Sequence, residues 1–299
     1  FEVSRGYAWK ADATIDDAVE LIGVAENYLE VHKTYVEKSN DAAGKMARKI
    51  ENDIIELVRN GNFRMFLQPK VNILTGKTVG AEALIRLYDD EKGFVSPGLF
   101  IPLLEENNVV HLVDLFILSH AFQFQKAARD AGKEIVPISV NFSKNTLMFP
   151  NLIEYINTQC EAYGAPEGMI HIEITETISN MDHIEVNKIA KALHQIGFSI
   201  SMDDFGTQYS NMAVLTQFDF DTVKIDRSMI IDIVENEKNQ LILKHMIHML
   251  RELGMEIVIE GVETAEQVTV LKELGCEVVQ GFYFGKPEPE VNFYELFMK

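Results

Sequence analysis

The sequence has few cysteines, no long apolar run and none of the common nucleotide-binding or protease motifs. Its two cysteines, Cys160 and Cys276, lie far apart and form no CxxC motif, which excludes a disulfide framework and a cysteine zinc site and favours a reducing, cytoplasmic setting. No run is long enough to span a membrane, and no signal peptide precedes Phe1. The P-loop, GxGxxG and HExxH motifs are absent, as is a Ser-His-Asp triad at a recognisable spacing. We therefore expect no membrane segment within this chain.

Basic residues are also scarce. Lysine and arginine total 27 against 46 aspartates and glutamates, which gives a formal net charge of -19. Because nucleic-acid binding depends on basic contacts to phosphate, we expect no nucleic-acid polymer as a partner. Hydrophobic residues make up 47% of the chain and charged residues 24%, a balance that excludes disordered and collagen-like chains. The excess acid is compatible with solubility or with a cation-binding site, and composition does not choose between them.

The first 40 residues differ in pattern from the rest. Apolar residues alternate over residues 1–9, which predicts a half-buried strand, and Thr14 with Asp17 is typical of a capping pair that begins a helix. One strand and one helix cannot form a core alone. We therefore interpret residues 1–40 as the remnant and linker of a domain that continues upstream, and residues 41–299 as a separate barrel domain.

The remainder of the chain alternates short β-branched runs with helical periodicity. The eight predicted strands cover residues 65–71, 79–85, 135–141, 170–174, 199–203, 222–225, 257–260 and 278–282. The predicted helices cover residues 110–131, 151–163, 184–196, 239–253 and 265–274. Eight βα units predict an α/β fold, the (β/α)8 TIM-like barrel. The link over residues 72–77 is too short for a crossover helix, so we expect the first strand to be antiparallel.

A polar or charged residue lies near the end of almost every predicted strand. These residues are Glu82, Asn141, Glu173, Asp203 with Asp204, Lys224, Glu260 and Gln280. In a barrel of parallel strands these ends meet at one mouth, where active sites lie. Each residue taken alone fits a solvated rim or a turn, but their recurrence at the same end of successive strands favours a site. Five carboxylates there would repel one another unless cations lay among them, and Mg2+ or Mn2+ suits oxygen ligands. A two-metal site in turn favours phosphate ester hydrolysis.

The same residues carry a resemblance to a known family. The segment Ala81-Glu82-Ala83-Leu84-Ile85-Arg86 resembles the signature of the EAL-domain family of bacterial cyclic-di-GMP phosphodiesterases. Further segments resemble family motifs in the family's order: Leu67-Gln68-Pro69, Ser139-Val140-Asn141, Glu173-Ile174-Thr175-Glu176, Asp203-Asp204-Phe205-Gly206, Lys224-Ile225-Asp226, Glu260-Gly261-Val262-Glu263 and Gln280-Gly281-Phe282. The resemblance runs from about Asp53 to Lys299, and the ordered set of motifs is highly specific.

The resemblance implies a modified barrel that hydrolyses cyclic-di-GMP to linear 5'-pGpG with two Mg2+ or Mn2+ ions. By position, the metal ligands would be Glu82, Asn141, Glu173, Asp203, Asp204 and Glu260. Asp203 would bridge the two ions, and Lys224 would hold or help to deprotonate the attacking water. Glu176 would brace the loop that follows Asp204. The predicted catalytic residues are thus Lys224, Glu176 and Glu260.

The resemblance also implies the residues that bind substrate. Arg86 would reach a phosphate oxygen, because its guanidinium suits that geometry. Gln68 and Gln280 would line the substrate pocket, or Gln280 would act near the metals. The family further implies a homodimer and regulation through the loop after Asp204.

Two segments depart from the family pattern. The family usually has a tryptophan and a His-Pro pair after the arginine, where this chain has Leu87-Tyr88-Asp89-Asp90. The family's Gly-Thr-Gly-Tyr-Ser-Ser loop reads Gly206-Thr207-Gln208-Tyr209-Ser210-Asn211 here, and a glutamine resists a positive φ that glycine permits. The first departure alters a substrate-facing wall and need not stop chemistry. Gln208 and Asn211 keep open the alternative of a weak or inactive receptor that binds cyclic-di-GMP without cleaving it, and an interaction scaffold that has lost the ligand is a third reading.

The first 40 residues also resemble, more distantly, the last strand and helix of a GGDEF domain. The relevant residues are Ala25-Glu26, Tyr28 and Lys33. The GGDEF signature itself is absent, which excludes cyclase activity within this chain. We expect an upstream GGDEF or sensor domain in the full-length protein, through which the protein could be tethered to a membrane. An unrelated linker helix that pairs in a dimer is the alternative.

Overall fold

The computed structural model describes residues 52–58, 60–89, 91, 93–175, 178, 183–207 and 211–298. The strand and helix predicted within the first 40 residues lie outside this part of the chain, so the division into an upstream remnant and a barrel stays a prediction.

The described elements follow one another in the βα order that the sequence predicts. A helical segment over residues 52–58 precedes them. The strands are β1 (Phe63–Asn72), β2 (Thr78–Asp89), β3 (Gly93–Val95), β4 (Ile138–Asn141), β5 (Ile170–Thr175), β6 (Ser199–Phe205), β7 (Thr222–Ile225), β8 (Glu256–Ile259), β9 (Val278–Gln280) and β10 (Glu288–Pro289). The helices are α1 (Pro97–Glu106), α2 (His111–Asp130), α3 (Lys144–Leu147), α4 (Leu152–Tyr163), α5 (His183–Ile196), α6 (Asn211–Leu215), α7 (Glu237–Glu252), α8 (Ala265–Glu273) and α9 (Phe293–Phe297).

Eight of these strands close into a barrel. Around the barrel they run β1, β2, β4, β5, β6, β7, β8 and β9, and β9 pairs again with β1. Seven of them are parallel, whereas β1 is antiparallel to both neighbours. The predicted modified (β/α)8 barrel with an antiparallel first strand is therefore confirmed. All eight predicted strands and all five predicted helices are present.

The chain near β2 was predicted incompletely. Strand β2 continues to Asp89, four residues beyond its predicted end, and turns back as β3 in an antiparallel hairpin. Helix α1 follows directly, with Pro97 in its first turn, where the missing N–H costs no hydrogen bond. Neither β3 nor α1 was predicted, since a three-residue strand and a proline-containing helix give little periodic signal.

Burial on both sides explains why the barrel strands are almost continuously apolar. Ile138, Val140, Ile172, Val223 and Ile225, on three of the barrel strands, are 0% exposed. The barrel interior covers one face of each strand and the ring of helices covers the other, so β-branched residues suit both faces. A rigid frame of this kind holds the ends of the strands at defined positions.

A second apolar cluster supports the outer part of the hairpin formed by β1 and β2. It packs Phe63 of β1 against Phe100 and Leu104 of α1 and Val113 of α2. The rings of Phe63 and Phe100 meet edge to face with centroids 5.7 Å apart. Val95 of β3 also packs against this cluster. The strands that extend beyond the barrel mouth are thus supported from behind. Within the described part of the chain, no helix combines the length and apolar character needed to cross a membrane.

Candidate functional site at the barrel mouth

The barrel brings the predicted strand-end residues together at one mouth. Their side chains come from the barrel strands or from the residues directly after them: Gln68, Glu82, Asn141, Glu173, Asp203, Lys224, Glu260 and Gln280. In the parallel register Asn141 lies beside Glu173, and Thr175 lies beside Asp203. The sequence-based expectation of a shared mouth therefore matches the contacts described below.

Lys224 occupies the centre of this cluster. Its Nζ lies 2.7 Å from Glu173 Oε2, 2.7 Å from Glu260 Oε1, 3.0 Å from Asp203 Oδ1 and 3.4 Å from Glu82 Oε2. The side chain is 1% exposed. Burial opposes its charge, but the carboxylates, Asp203 and Glu173 foremost, outweigh burial and raise the pKa of Lys224 well above its usual value. Lys224 is therefore a buried ammonium held by four carboxylates.

A second buried lysine, which the sequence reasoning missed, joins the cluster from β1. Lys70 Nζ donates to Glu173 Oε1 at 2.7 Å and to Ser139 Oγ at 2.5 Å. Burial would raise the pKa of Glu173, but Lys224 and Lys70 together lower it to about 2. Lys70 lies two residues beyond Gln68 and therefore on the same face of β1, and this period of two was the signal that could have found it.

A chain of amides orients Glu82. Gln280 Nε2 donates to Glu82 Oε2 at 2.6 Å and to Gln68 Oε1 at 3.1 Å, and Asn141 Nδ2 donates to Glu82 Oε1 at 2.9 Å. Gln68 Nε2 in turn donates to the backbone oxygen of Gly285 at 3.1 Å. Of the two places that the sequence left open for Gln280, the geometry therefore favours the one beside the carboxylates.

Three carboxylates form the most compact acidic group in the described chain. Asp203, Asp204 and Glu260 each offer an oxygen, and these oxygens lie within 4.8 Å of one another. Burial, the largest cause, raises the pKa of Asp203, and it raises that of Glu260 to about 8. Five carboxylates in this mouth face the two ammonium groups of Lys224 and Lys70. An all-oxygen donor set with uncompensated negative charge fits a hard divalent cation.

The backbone around these carboxylates is unusual. Asp204 has φ 58°, a left-handed conformation that is rare outside glycine and costs roughly 1–2 kcal/mol. Its N–H donates to Asp203 Oδ1 at 3.0 Å. Strain of this kind persists where the surroundings require it, and it frequently marks a functional site. Gly261, directly after Glu260, has φ 70°, and a Cβ there would lie 2.2 Å from the Cβ of Arg227. The backbone conformation of the loops that carry Asp204 and Glu260 is therefore tightly constrained.

Arg86 lies outside the central cluster. It is on β2, four residues beyond Glu82, and it is half-buried. Burial lowers the pKa of Arg86, and the nearby Glu82 opposes that shift. Its Nη1 donates to the backbone oxygen of Ile85 at 2.8 Å, and its guanidinium carbon lies 5.8 Å from the centroid of the Phe66 ring. A contact between Arg86 and a phosphate stays a prediction.

Some predicted residues lie outside the described part of the chain. These are Glu176, Gln208 and the side chain of Asn211. The brace assigned to Glu176 and the loop strain assigned to Gln208 therefore stay predictions.

Comparisons with known proteins agree on one family. The family model described as the EAL domain matches residues 51–287. The cyclic di-GMP phosphodiesterase NbdA of Pseudomonas aeruginosa is 30% identical over 241 residues, which cover 81% of this chain and 31% of that protein. The signaling protein YkoW of Bacillus subtilis is 32% identical over 246 residues, covering 82% of this chain and 30% of that protein. This chain thus spans about a third of the length of such curated relatives.

Solved structures give the same result. The structure named PaMucR phosphodiesterase, c-di-GMP complex, has a TM-score of 0.74 and 29% identity, covering 81% of this chain and 98% of that one. The EAL enzyme Bd1971, solved with cAMP and cyclic-di-GMP bound, has a TM-score of 0.77 and 27% identity, covering 96% of this chain and 77% of that one. The family model matches most of the sequence, and the barrel with carboxylates at its mouth agrees with that match. The chain therefore belongs to the EAL-domain family.

Proposed function

We propose that this barrel is a two-metal phosphodiesterase that hydrolyses cyclic-di-GMP to linear 5'-pGpG in bacterial second-messenger signalling. The observation that carries the proposal is the barrel mouth, where a buried lysine lies among four carboxylates in a chain of the EAL-domain family. Relatives named cyclic di-GMP phosphodiesterase and a neighbour solved with c-di-GMP support the choice of substrate.

The donor set supports a site for two Mg2+ or Mn2+ ions. The residues that would hold them are Glu82, Asn141, Glu173, Asp203, Asp204 and Glu260. The amide of Asn141 donates from its nitrogen to Glu82, so its oxygen is the atom suited to a cation. Bound there, such ions would activate a water and neutralise charge on the phosphate. Asp203 and Asp204 are adjacent, and Asp204 has a left-handed backbone conformation. A single short segment of chain therefore supplies two carboxylates to the site.

The protein's own residues position the reactants. Lys224, whose ammonium carries three donors and lies among the carboxylates, would hold or help to deprotonate the attacking water. Arg86 would bind a phosphate oxygen with its guanidinium. Gln68 would line the pocket, Gln280 would act near the metals while it keeps Glu82 oriented, and Glu176 would brace the loop after Asp204. Lys224, Glu176 and Glu260 form the catalytic set in this proposal.

The direct test is turnover. The purified chain is incubated with cyclic-di-GMP and Mg2+, then with Mn2+, and the nucleotides are resolved by chromatography. We expect metal-dependent 5'-pGpG from the wild type and none from Glu82→Ala. The matched control is Glu256→Ala, which removes an exposed glutamate from the opposite end of a barrel strand and should leave turnover unchanged. Equal rates in wild type and Glu82→Ala would refute the metal assignment.

A receptor that binds cyclic-di-GMP without cleaving it is the second candidate. The departure at Gln208, where the family usually has glycine, favours it. Calorimetric binding without product, together with restored turnover in Gln208→Gly, would establish the receptor. An interaction scaffold without the ligand is the third candidate, and measurable binding of the dinucleotide would exclude it.

The assembly is also part of the proposal. We assign a homodimer, supported by exposed apolar side chains on the neighbouring helices α6 and α7, where Met212, Leu241 and Ile242 are 50%, 57% and 40% exposed and share one groove. Light scattering should give twice the chain mass for the wild type and the monomer mass for Leu241→Glu. We also propose that residues 1–40 are the end of an upstream GGDEF or sensor domain and that the protein is cytoplasmic.

A further inference from the structure

Three aromatic side chains form an exposed wall beside the mouth. The aromatic wall consists of Phe66 on β1, Tyr88 on β2 and Phe94 on β3. The Phe94 ring meets the rings of Phe66 and Tyr88 edge to face, each with centroids 5.4 Å apart. Phe94 is nevertheless 53% exposed. A large ring held by two others and still open to solvent has a free surface that a flat apolar group could cover.

The aromatic wall lies on the same sheet face as the candidate site. Phe66 lies opposite Leu84 and Gln68 lies opposite Glu82, with no irregularity between these pairs. Tyr88 lies opposite Phe94 on β3. Side chains two residues apart share a face, so Glu82, Leu84, Arg86 and Tyr88 all point the same way. The pair of Phe66 and Leu84 is only about 7 Å further along the strands than Glu82. A nucleotide with its phosphate near Glu82 reaches the wall with its base.

The charges next to the wall suit the same ligand. The guanidinium carbon of Arg64 lies 4.9 Å from the Tyr88 ring centroid, and that of Arg86 lies 5.8 Å from the Phe66 ring centroid. In a chain with a net charge of -19, two arginines that each lie against one ring of the aromatic wall give a local surface for an anionic, aromatic ligand. Cations over aromatic rings, combined with open ring faces, are typical of sites that bind nucleotide bases.

We propose that the aromatic wall stacks one purine base of the cyclic dinucleotide, with Phe94 as the principal contact, and that it thereby determines which dinucleotides bind. The inference rests on the proposed function, because it assigns a base subsite to the same mouth. The support behind the wall, where Val95 packs on the cluster around Phe63 and Phe100, keeps Phe94 in place before the ligand arrives. This preorganisation reduces the entropy that binding would otherwise lose.

The test compares Phe94→Ala and Phe94→Tyr with wild type. Leu74→Ala is the matched control, because Leu74 is 61% exposed in the turn at the other end of the β1–β2 hairpin. Steady-state kinetics give kcat and KM for cyclic-di-GMP. We expect KM to rise roughly 5- to 150-fold in Phe94→Ala with kcat within about threefold, since stacking acts on binding. Phe94→Tyr should restore KM, and Leu74→Ala should not change it.

A fluorescent probe separates stacking from a merely structural role. A cyclic dinucleotide with 2-aminopurine in place of one guanine loses fluorescence when the base stacks on a ring. Wild type and Phe94→Tyr should quench the probe, and Phe94→Ala should not. Wild type that turns over or binds cyclic-di-GMP, with Phe94→Ala unchanged in KM and in quenching, would overturn this inference alone. Wild type with neither turnover nor binding would overturn the proposed function as well.

Discussion

Replacing Lys224 by methionine tests the electrostatics of the mouth most directly. Methionine has a similar length and is apolar, so Lys224→Met removes the ammonium and leaves the packing volume nearly unchanged. Four carboxylates within 3.4 Å would lose their shared cation in a place that is 1% exposed. Without a divalent metal the only ammonium near them in the described part of the chain would be that of Lys70, which reaches Glu173.

The magnitude follows from two independent estimates. Removing one partner of a buried ion pair costs about 3–5 kcal/mol, because the other charge stays buried without compensation. Burial raises the pKa of Glu173, but Lys224 and Lys70 together bring it from 4.5 to about 2. This shift is worth about 3 kcal/mol, of which Lys224, the larger of the two lowering causes, supplies the greater part. For a domain of this size, 3–5 kcal/mol lowers Tm by roughly 10 °C.

The pH dependence has a definite sign. A carboxyl whose folded pKa is depressed stabilises the protein fully above its unfolded pKa, and this stability is lost as the pH falls through the folded pKa. The part of the difference between wild type and Lys224→Met that Glu173 contributes should therefore be complete at pH 8 and fall to roughly half near pH 3. Urea unfolding in EDTA at both pH values measures it. Adding Mn2+ at pH 8 should recover more stability in Lys224→Met than in wild type.

The control is a lysine whose ion pair is exposed. Lys126 Nζ lies 3.0 Å from Asp130 Oδ2, with 38% and 64% of the two side chains exposed. Lys126→Met should change stability by less than about 0.5 kcal/mol, because water screens such a pair. An exposed ion pair contributes at most about 1 kcal/mol. If the free energy of unfolding of Lys224→Met in EDTA at pH 8 were within that range of the wild-type value, Lys224 would not be compensating the carboxylates and the reasoning would fail.

Three further predictions concern other parts of the barrel. Gly281→Ala should lower the free energy of unfolding in urea by roughly 3 kcal/mol, because a Cβ at position 281 would lie 2.1 Å from the backbone oxygen of Val262. Unchanged stability would contradict the close approach of the chain at Gly281 to the chain at Val262. Burial raises the pKa of Asp114 to about 6, so between pH 4 and pH 6 wild type should lose about 2 kcal/mol of stability that Asp114→Asn retains, and parallel plots of unfolding free energy against pH would count against it. Burial also raises the thiol pKa of Cys160 to about 11 and that of Cys276 to about 12. At pH 8 the lower thiolate fraction should slow reaction with a disulfide reagent about 100-fold at Cys160 and about 1000-fold at Cys276 relative to the protein in urea, and stopped-flow absorbance measures both rates.

Local patterns in the sequence were enough to predict the barrel. Runs of β-branched residues alternate with helical periodicity, and each run is short enough to be a strand that is buried on both faces. The short link between the first two runs excluded a crossover helix and so predicted the reversed strand. Both features depend on neighbouring residues alone, which explains why the structure agrees with them.

The ends of parallel strands meet at one mouth of a barrel, so polar residues at those ends are expected there. This strand-end rule predicted most of the site for the same reason. Parallel strands in a barrel place their carboxyl ends together, so a polar residue at the end of each run can be assigned to the mouth from the local sequence alone. The rule found Glu173 and Lys224, and it found Gln280 at the end of β9. It also led to the expectation of cations among the carboxylates, for which the mouth has a fitting donor set.

Strand pairing across the barrel decides where the antiparallel strand contributes to the mouth. Lys70 belongs to a strand that runs the other way, so the strand-end rule does not apply to it. The pairing of Lys70 with Gln280 closes the barrel and brings its ammonium to Glu173, which is 103 residues away in sequence. Phe94 reaches the mouth face only because β2 continues beyond its predicted end and β3 folds back on it. Local sequence patterns thus define which strands form and which residues end them. Strand register and barrel closure join distant residues, and they therefore define how the carboxylates are compensated and which aromatic surface lies beside them.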